Sequence, residues 1–299
     1  MKTLLLTQPL PMAPFLAAVR EHAPDGRFVA YAPDLSDAEL ADVEAVLAWQ
    51  VPSGLAPRLP RLRWISSIAA GVEKLLPPDL PTHVRVSRIV DPDQAAGIAQ
   101  FVVAMALRHV RSLPLYEAQQ RERSWTRHPV SVVRHRVAVL GTGAMGGEIA
   151  AWLSRVGFDV QGWRRRDGRA LHDVLATCEM AVCALPLTDA THGVLDARAF
   201  AAMPRGGYVI NVARGAHIVE PDLIAAVASG HLTGASLDVQ CTEPLPADDP
   251  LWTVPGITIT PHIAAQSSPE TIAAQFVAGL GCVQRGERPP QLVDRARGY

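Results

Sequence analysis

The chain is poor in cysteine. Four occur in 299 residues (Cys178, Cys183, Cys241 and Cys282), with no CxxC spacing and far below the density of a secreted disulfide framework. Disulfide stapling is therefore excluded as the source of stability, and without an HxxxH pair no metal site is expected. Cys178 and Cys183 flank an apolar strand pattern and read as small buried hydrophobes. An excess of charge is lacking too: 28 Lys and Arg against 29 Asp and Glu leave a net −1, which gives no pull toward nucleic acid or an anionic membrane. Arginine and histidine gather between Arg108 and Arg136, but acidic and aromatic residues interrupt them, as on a solvated helix face. Long apolar runs are also missing. The best, Phe101 to Leu107, is bounded by Gln100 and Arg108 and is too short to span a membrane. Pro9, Pro11 and Pro14 break the apolar start Met1 to Leu6, so it reads as a first strand and not a signal peptide. A soluble, cytoplasmic protein is expected, with neither repeats nor low-complexity tracts.

What is present is a globular composition, 48% hydrophobic and 19% charged, in a chain long enough for two domains. Leu4 to Leu6, Phe28 to Tyr31, Val46 to Trp49, Trp64 to Ile68 and Val84 to Ser87 read as strands of a small parallel α/β unit. Helical spacing runs over Pro14 to His22 and Ser36 to Asp42, with Ser36 as N-cap. From Asp93 to about Arg123 the spacing predicts one long connecting helix, interrupted in pattern only by Pro114. A more regular βαβ succession begins at Arg136. Its strands are Val137 to Leu140, Phe158 to Val160, Met180 to Ala184, Val209 to Ile210, Ala235 to Val239 and Ile257 to Ile259, enough for a complete nucleotide-binding fold. Ser268 to Arg285 is amphipathic, has no strand after it, and is expected to return to the N-terminal domain. The predicted organisation is therefore residues 1–92 with 268–299 as a substrate-binding domain, and 93–267 as an inserted dinucleotide-binding domain. Both are Rossmann-like or flavodoxin-like parallel sheets, with the site expected in the cleft they form.

Gly141-Thr142-Gly143-Ala144-Met145-Gly146 follows the strand Val137 to Leu140 and opens a helical pattern. In that context the glycines mark a dinucleotide site: a tight turn at Gly141, backbone approach to the pyrophosphate at Gly143, and close packing at Gly146. Amides at Ala144 and Met145 and the helix dipole face the phosphates. The next strand ends Trp163-Arg164-Arg165-Arg166, where an NAD site normally carries an acid for the ribose hydroxyls. Guanidiniums there repel nothing and can grip a 2′-phosphate, so NADPH is expected in preference to NADH.

Three polar residues close three later apolar runs: Arg214 after Tyr208 to Ala213, Glu243 beyond Ala235 to Val239, and His262 after Ile257 to Pro261. Carboxyl ends of parallel strands line one crevice, so these residues can meet there and do acid–base work on a small anionic substrate.

With Leu185-Pro186-Leu187-Thr188, Asn211-Val212-Ala213-Arg214-Gly215, Leu237-Asp238-Val239, Glu243-Pro244-Leu245-Pro246 and Thr260-Pro261-His262-Ile263-Ala264-Ala265 in this order, the chain resembles the D-isomer-specific 2-hydroxyacid dehydrogenase family. Trp49, the turn Ile68 to Val72 and the arginine-bearing strand end make it most like the glyoxylate/hydroxypyruvate reductase A group. The resemblance implies reduction of a small 2-keto acid with His262 as proton donor, Glu243 as its partner, and Arg214 on the substrate carboxylate and carbonyl. It places Leu185, Pro186, Val212, Ala213, Asp238 and Ala264 along the cofactor. For Asp238 a capping acid is the other reading. Trp49, Ala70 and Gly71 are assigned to the substrate, the turn by its amides and Trp49 as a lid, against readings as an ordinary turn and a core tryptophan. A homodimer joined through the cofactor domain is the family expectation. Cys241-Thr242 and Gln266 to Pro269 depart from the common pattern. A dehydrogenase for a larger 2-keto acid and a dinucleotide-sensing, corepressor-like binding protein are the alternatives.

Overall fold

Each apolar run read as a strand becomes one, with ends displaced by up to three residues. The structure, a computed structural model, describes residues 1–128 and 134–298. It divides into Met1–Asp91 with Gln266–Tyr299, and Pro92–Ala265. The first unit begins β1 (Lys2–Leu6), α1 (Met12–His22), β2 (Arg27–Ala30), α2 (Asp37–Leu40), β3 (Val43–Ala48), β4 (Trp64–Ser67) and β5 (Arg85–Ser87). These strands form one parallel sheet in the order β2-β1-β3-β4-β5. Leu4, Leu5, Leu47 and Ile65 are fully buried, which is why the runs are continuous and not alternating: helices cover both faces of such a sheet. Ser36 caps α2 by a reciprocal pair, its hydroxyl accepting from Glu39 N–H and its own N–H donating to the Glu39 carboxylate at 2.9 Å.

The second unit holds α3 (Pro92–Val110), α4 (Leu113–Glu122), β6 (Arg136–Leu140), α5 (Ala144–Arg155), β7 (Asp159–Trp163), α6 (Leu171–Leu175), β8 (Met180–Cys183), α7 (Ala197–Ala202), β9 (Gly207–Asn211), α8 (Glu220–Ala228), β10 (Leu232–Leu237) and β11 (Ile257–Ile259). Its sheet is parallel throughout, in the order β11-β10-β9-β8-β6-β7. From β6 the chain winds first outward to β7, then back past β6 to β8 and on to β11. That reversal is the topological switch point where doubly wound sheets open a crevice at their carboxyl ends. Cys178 and Cys183 lie in this core, fully buried, and burial pushes the Cys183 thiol up to about 12.

One expectation fails in a definite way. The single helix predicted from Asp93 to Arg123 is two, broken at Arg111 and Ser112, the latter left-handed with φ 52°. Pro114 explains the break. Its ring has no N–H to continue the ladder and would strike the carbonyl of Val110, whereas in the first turn of a new helix neither matters.

The last helix, α9 (Pro269–Gln284), is capped by Ser268 and belongs to the first unit. Ile272, Ala273, Phe276, Leu280 and Val283 pack with Phe15, Val19 and Trp64, and the Phe276 ring stacks on Trp64 at 5.0 Å. Burying each large side chain there contributes about 1.5–3 kcal/mol. No described helix is long and apolar enough to cross a membrane.

Candidate active site

The strands β9, β10 and β11 are neighbours in register, so the segments leaving their carboxyl ends leave side by side. Arg214 comes from the first, Glu243 from the second and His262 from the third.

Behind Arg214 stands a buried amide. Asn211, the last residue of β9 and fully buried, accepts from Ala213 N–H at 3.1 Å and donates through Nδ2 to the Arg214 carbonyl at 2.9 Å. The guanidinium is folded back, Nη1 donating to the Ala213 carbonyl at 2.7 Å. Gly215 is required next: a Cβ there would lie 1.9 Å from the Gln240 carbonyl carbon. The chain after β9 therefore presses directly on the Gln240 backbone that leads to Glu243.

His262 and Glu243 meet. The His262 Nδ1 and Glu243 Oε2 are 2.9 Å apart, each side chain 31% exposed, so the pair is held but still open to a reactant. Glu243 Oε1 accepts from Gln240 N–H at 3.1 Å. With the carboxylate fixed in this way, Nδ1–H is the donor and Nε2 faces the other way around the ring. His262 itself has φ +55°, a left-handed conformation that costs an L-residue about 1–2 kcal/mol. Asp238 holds it there. Its carboxylate, 2% exposed, accepts from Thr260 Oγ1 at 2.6 Å, Ile263 N–H at 2.9 Å and Ala264 N–H at 2.9 Å, while its carbonyl accepts from His262 N–H at 2.8 Å. Both oxygens of the acid assigned to the cofactor, and the amide of Ala264, are thus committed to the histidine turn.

The glycine loop fits a pyrophosphate. Gly141 has φ +89°, and a Cβ on Gly146 would fall 1.7 Å from the Gly141 carbonyl oxygen, so the loop closes tightly on the start of α5. Over Gly143 a Cβ would meet nothing within 4 Å, the open cradle expected where phosphate approaches backbone. The Ala144 and Met145 amides lie in the first turn of α5, where helical N–H groups have no partner in the helix.

The strand end after β7 is more divided than the sequence suggests. Trp163 is 5% exposed, packed in the core with Nε1 donating to the Arg169 carbonyl at 3.0 Å, so only its backbone can touch a ligand. Arg164 turns back onto the loop, its Nη2 donating to the Thr142 carbonyl at 2.8 Å and its Nε to the Thr142 hydroxyl. Arg165 donates to the Ala190 carbonyl at 3.1 Å, and both Arg165 and Arg166 are exposed. Leu185 is buried beside the loop, with Pro186, Val212 and Ala213 following β8 and β9.

In the first unit, Trp49 follows β3, packs on the core there, and carries the Lys74 ammonium 5.4 Å from its ring centroid. The turn after β4 is tied by Ser67, whose hydroxyl accepts from Ala69 N–H and donates to the Gly71 carbonyl, both at 2.9 Å, bracketing Ala70.

Two residues that matter were not singled out from sequence: Asn211 and His217. His217 is fully buried. No described group of three or more His, Cys, Asp or Glu is arranged to hold a metal.

Residues 103–264 match the NAD binding domain of the D-isomer specific 2-hydroxyacid dehydrogenases. The chain belongs to that family. Glyoxylate/hydroxypyruvate reductase A of Yersinia enterocolitica is 34% identical over 273 residues, 85% of this chain and 87% of its own. A D-isomer specific 2-hydroxyacid dehydrogenase from Xanthobacter autotrophicus Py2, solved with NADPH and MES, superposes with TM-score 0.90 at 36% identity over 100% of this chain and 99% of that one. An NADPH-dependent glyoxylate/hydroxypyruvate reductase from Sinorhizobium meliloti, solved with NADP and sulfate, gives TM-score 0.91 at 28% identity over 100% and 99%. Family membership and the two parallel α/β units agree with the motifs read from the sequence.

Proposed function

We propose that this dehydrogenase reduces a small 2-keto acid of the glyoxylate or hydroxypyruvate type to the 2-hydroxy acid, using NADPH. The observation that carries this is the Glu243–His262 pair at 2.9 Å, leaving a strand end next to that of Arg214 in a sheet whose β6 bears a phosphate-shaped loop. The relatives named for this reaction, and the neighbours solved with NADPH or NADP, support it.

When bound, NADPH supplies the hydride to the carbonyl carbon. Arg214 grips the substrate carboxylate with its planar fork and polarises the neighbouring carbonyl. His262 Nε2 gives its proton to the carbonyl oxygen, which becomes the hydroxyl. Glu243 receives Nδ1–H, which fixes the ring's orientation and leaves Nε2 as the nitrogen that serves the substrate. Asp238 acts through the turn it holds. Thr142, Gly143, Ala144 and Met145 take the pyrophosphate, Arg165 and Arg166 the 2′-phosphate, and Leu185, Pro186, Val212 and Ala213 the rest of the cofactor. Trp49 and the amides of Ala70 and Gly71 are assigned to the keto acid. A cytoplasmic location and a homodimer complete the reading, the homodimer supported by exposed Leu107, Leu113, Leu115 and Trp125 on and just beyond α3 and α4.

The test is loss of reduced-nicotinamide absorbance with glyoxylate, hydroxypyruvate, pyruvate and bulkier keto acids, each with NADPH and with NADH. Turnover of the small acids with NADPH favoured is expected. NADH preference would overturn the cofactor assignment, and tight NADPH binding without any turnover would favour a dinucleotide sensor.

A further inference from the structure

His217 has no part in the steps above, yet its ring lies fully buried where two functional segments meet. Nε2 is 3.3 Å from the Pro186 carbonyl oxygen, and Nδ1 is 3.3 Å from the Arg214 nitrogen and 3.1 Å from its carbonyl oxygen. A carbonyl can only accept, so the Pro186 contact needs hydrogen on Nε2. In the neutral ring Nδ1 then accepts from Arg214 N–H, and a single imidazole satisfies both segments. The Pro186 carbonyl takes a second bond from the buried Thr191 hydroxyl at 2.7 Å.

Backbone bonds also join these stretches, Gly193 N–H to the Ala216 carbonyl at 2.8 Å and Leu195 N–H to the His217 carbonyl at 2.9 Å. They bind the later parts of both, and Val212 N–H to the Cys183 carbonyl at 3.3 Å joins them just after the strands. Between those backbone bonds, the imidazole ties the Pro186 carbonyl to the Arg214 backbone. An apolar side chain of similar size could fill that space without the cost of burying a polar ring, so the ring's two bonds are what the position gains from histidine.

We propose that His217 is a positioning residue that sets Arg214 and the Leu185–Pro186 segment in register, so that one buried ring governs the grip on both the 2-keto acid and NADPH. The proposal rests on the function given above. Its consequence is that the two affinities fall together when the ring's bonds are removed and return together when they are restored.

The experiment compares wild type, His217→Leu and His217→Gln. It measures NADPH affinity by fluorescence titration without substrate, steady-state kinetics with glyoxylate, and Tm. For His217→Leu, the glyoxylate KM should rise about tenfold and the NADPH Kd about threefold or more, with kcat changed less than about threefold, the pattern of lost uniform binding. Glutamine can accept from Arg214 N–H and donate to the Pro186 carbonyl, so His217→Gln should recover most of both losses. A rise in glyoxylate KM alone would overturn the coupling and leave His217 a local prop of Arg214. A lower Tm with unchanged KM and Kd would reduce it to packing, and a glutamine variant as impaired as the leucine one would show that the bonds are not the cause. If the leucine protein does not fold, His217→Asn reads the same question: it keeps a partner at Arg214 and falls short of Pro186. The NADPH Kd should then rise more than the glyoxylate KM, and wild-type values for both would overturn the proposal. Wild-type turnover is measured first, so failure of the reduction is seen apart from failure of the coupling, which the titration reads without catalysis.

Discussion

The two parallel sheets are built alike but are supported differently at their carboxyl ends. Among the described residues of the first unit the buried polar side chains are hydroxyls, such as Thr7, Ser66 and Ser67, apart from Asp91. In the second they include an amide, an imidazole, a carboxylate and another amide: Asn211, His217, Asp238 and Gln240. Each of these four bonds to backbone within the segments that bear Arg214, Glu243 and His262. Hydroxyls can finish a turn. A carboxylate or imidazole is much costlier to bury and is retained where a neighbouring side chain must be held in one geometry.

The comparison breaks most sharply with a pair of variants. His262→Asn should lower kcat by about 10²–10⁴ while the NADPH Kd holds, since general acid catalysis is worth that much. A loss below tenfold would remove His262 from proton transfer. Phe276→Ala, in the core of the first unit, should instead cost about 3–5 kcal/mol in urea unfolding and leave kcat per folded molecule near wild type. If the two variants exchanged behaviours, the division between the sheets would be wrong.

Next in size is a polar contact elsewhere in the second unit. His109 stacks on Tyr208, near the amino end of β9, with ring centroids 4.0 Å apart. Burial, then the charge of His135, pushes its imidazole down to about 4. The unfolded chain binds this proton near pH 6.5 and the folded one only near 4, so stability is complete above about 6.5 and declines as pH falls toward 4. The loss amounts to at most about 3 kcal/mol. Urea midpoints at pH ~7.5 and ~4.5 should converge in His109→Phe relative to wild type; equal pH dependence in the two proteins would contradict it.

Smallest is Asp238→Asn, which keeps shape but cannot accept from both Ile263 and Ala264 N–H groups. About 2 kcal/mol of stability should be lost, with kcat down about tenfold as the His262 turn loosens. Unchanged kcat would return Asp238 to a capping role.

Much of this was legible in the residues. The strands of both sheets, the Ser36 cap, the glycine loop and the three strand-end side chains all follow from periodicity and turn chemistry, which are local signals. What escaped were bonds across the sheet. The resemblance placed Asp238 along the cofactor, but nothing local announced that its oxygens hold a turn 22 to 26 residues later. Trp163 stood in the right motif with its ring in the core. His217 had no periodic or motif signal, because its worth comes from a carbonyl 31 residues away. The broken helix was within reach, since Pro114 marks it, but the apolar spacing on either side masks the stop.

The left-handed backbone at position 262 has a consequence for anyone engineering this protein. Glycine adopts φ +55° without the Cβ clash, so relief of that strain in His262→Gly should be worth about 1 kcal/mol, set against glycine's larger loss of chain entropy on folding. Where that relief prevails, selection for heat resistance that ignores turnover would drift toward erasing the imidazole. Here durability and chemistry pull on the same residue in opposite directions.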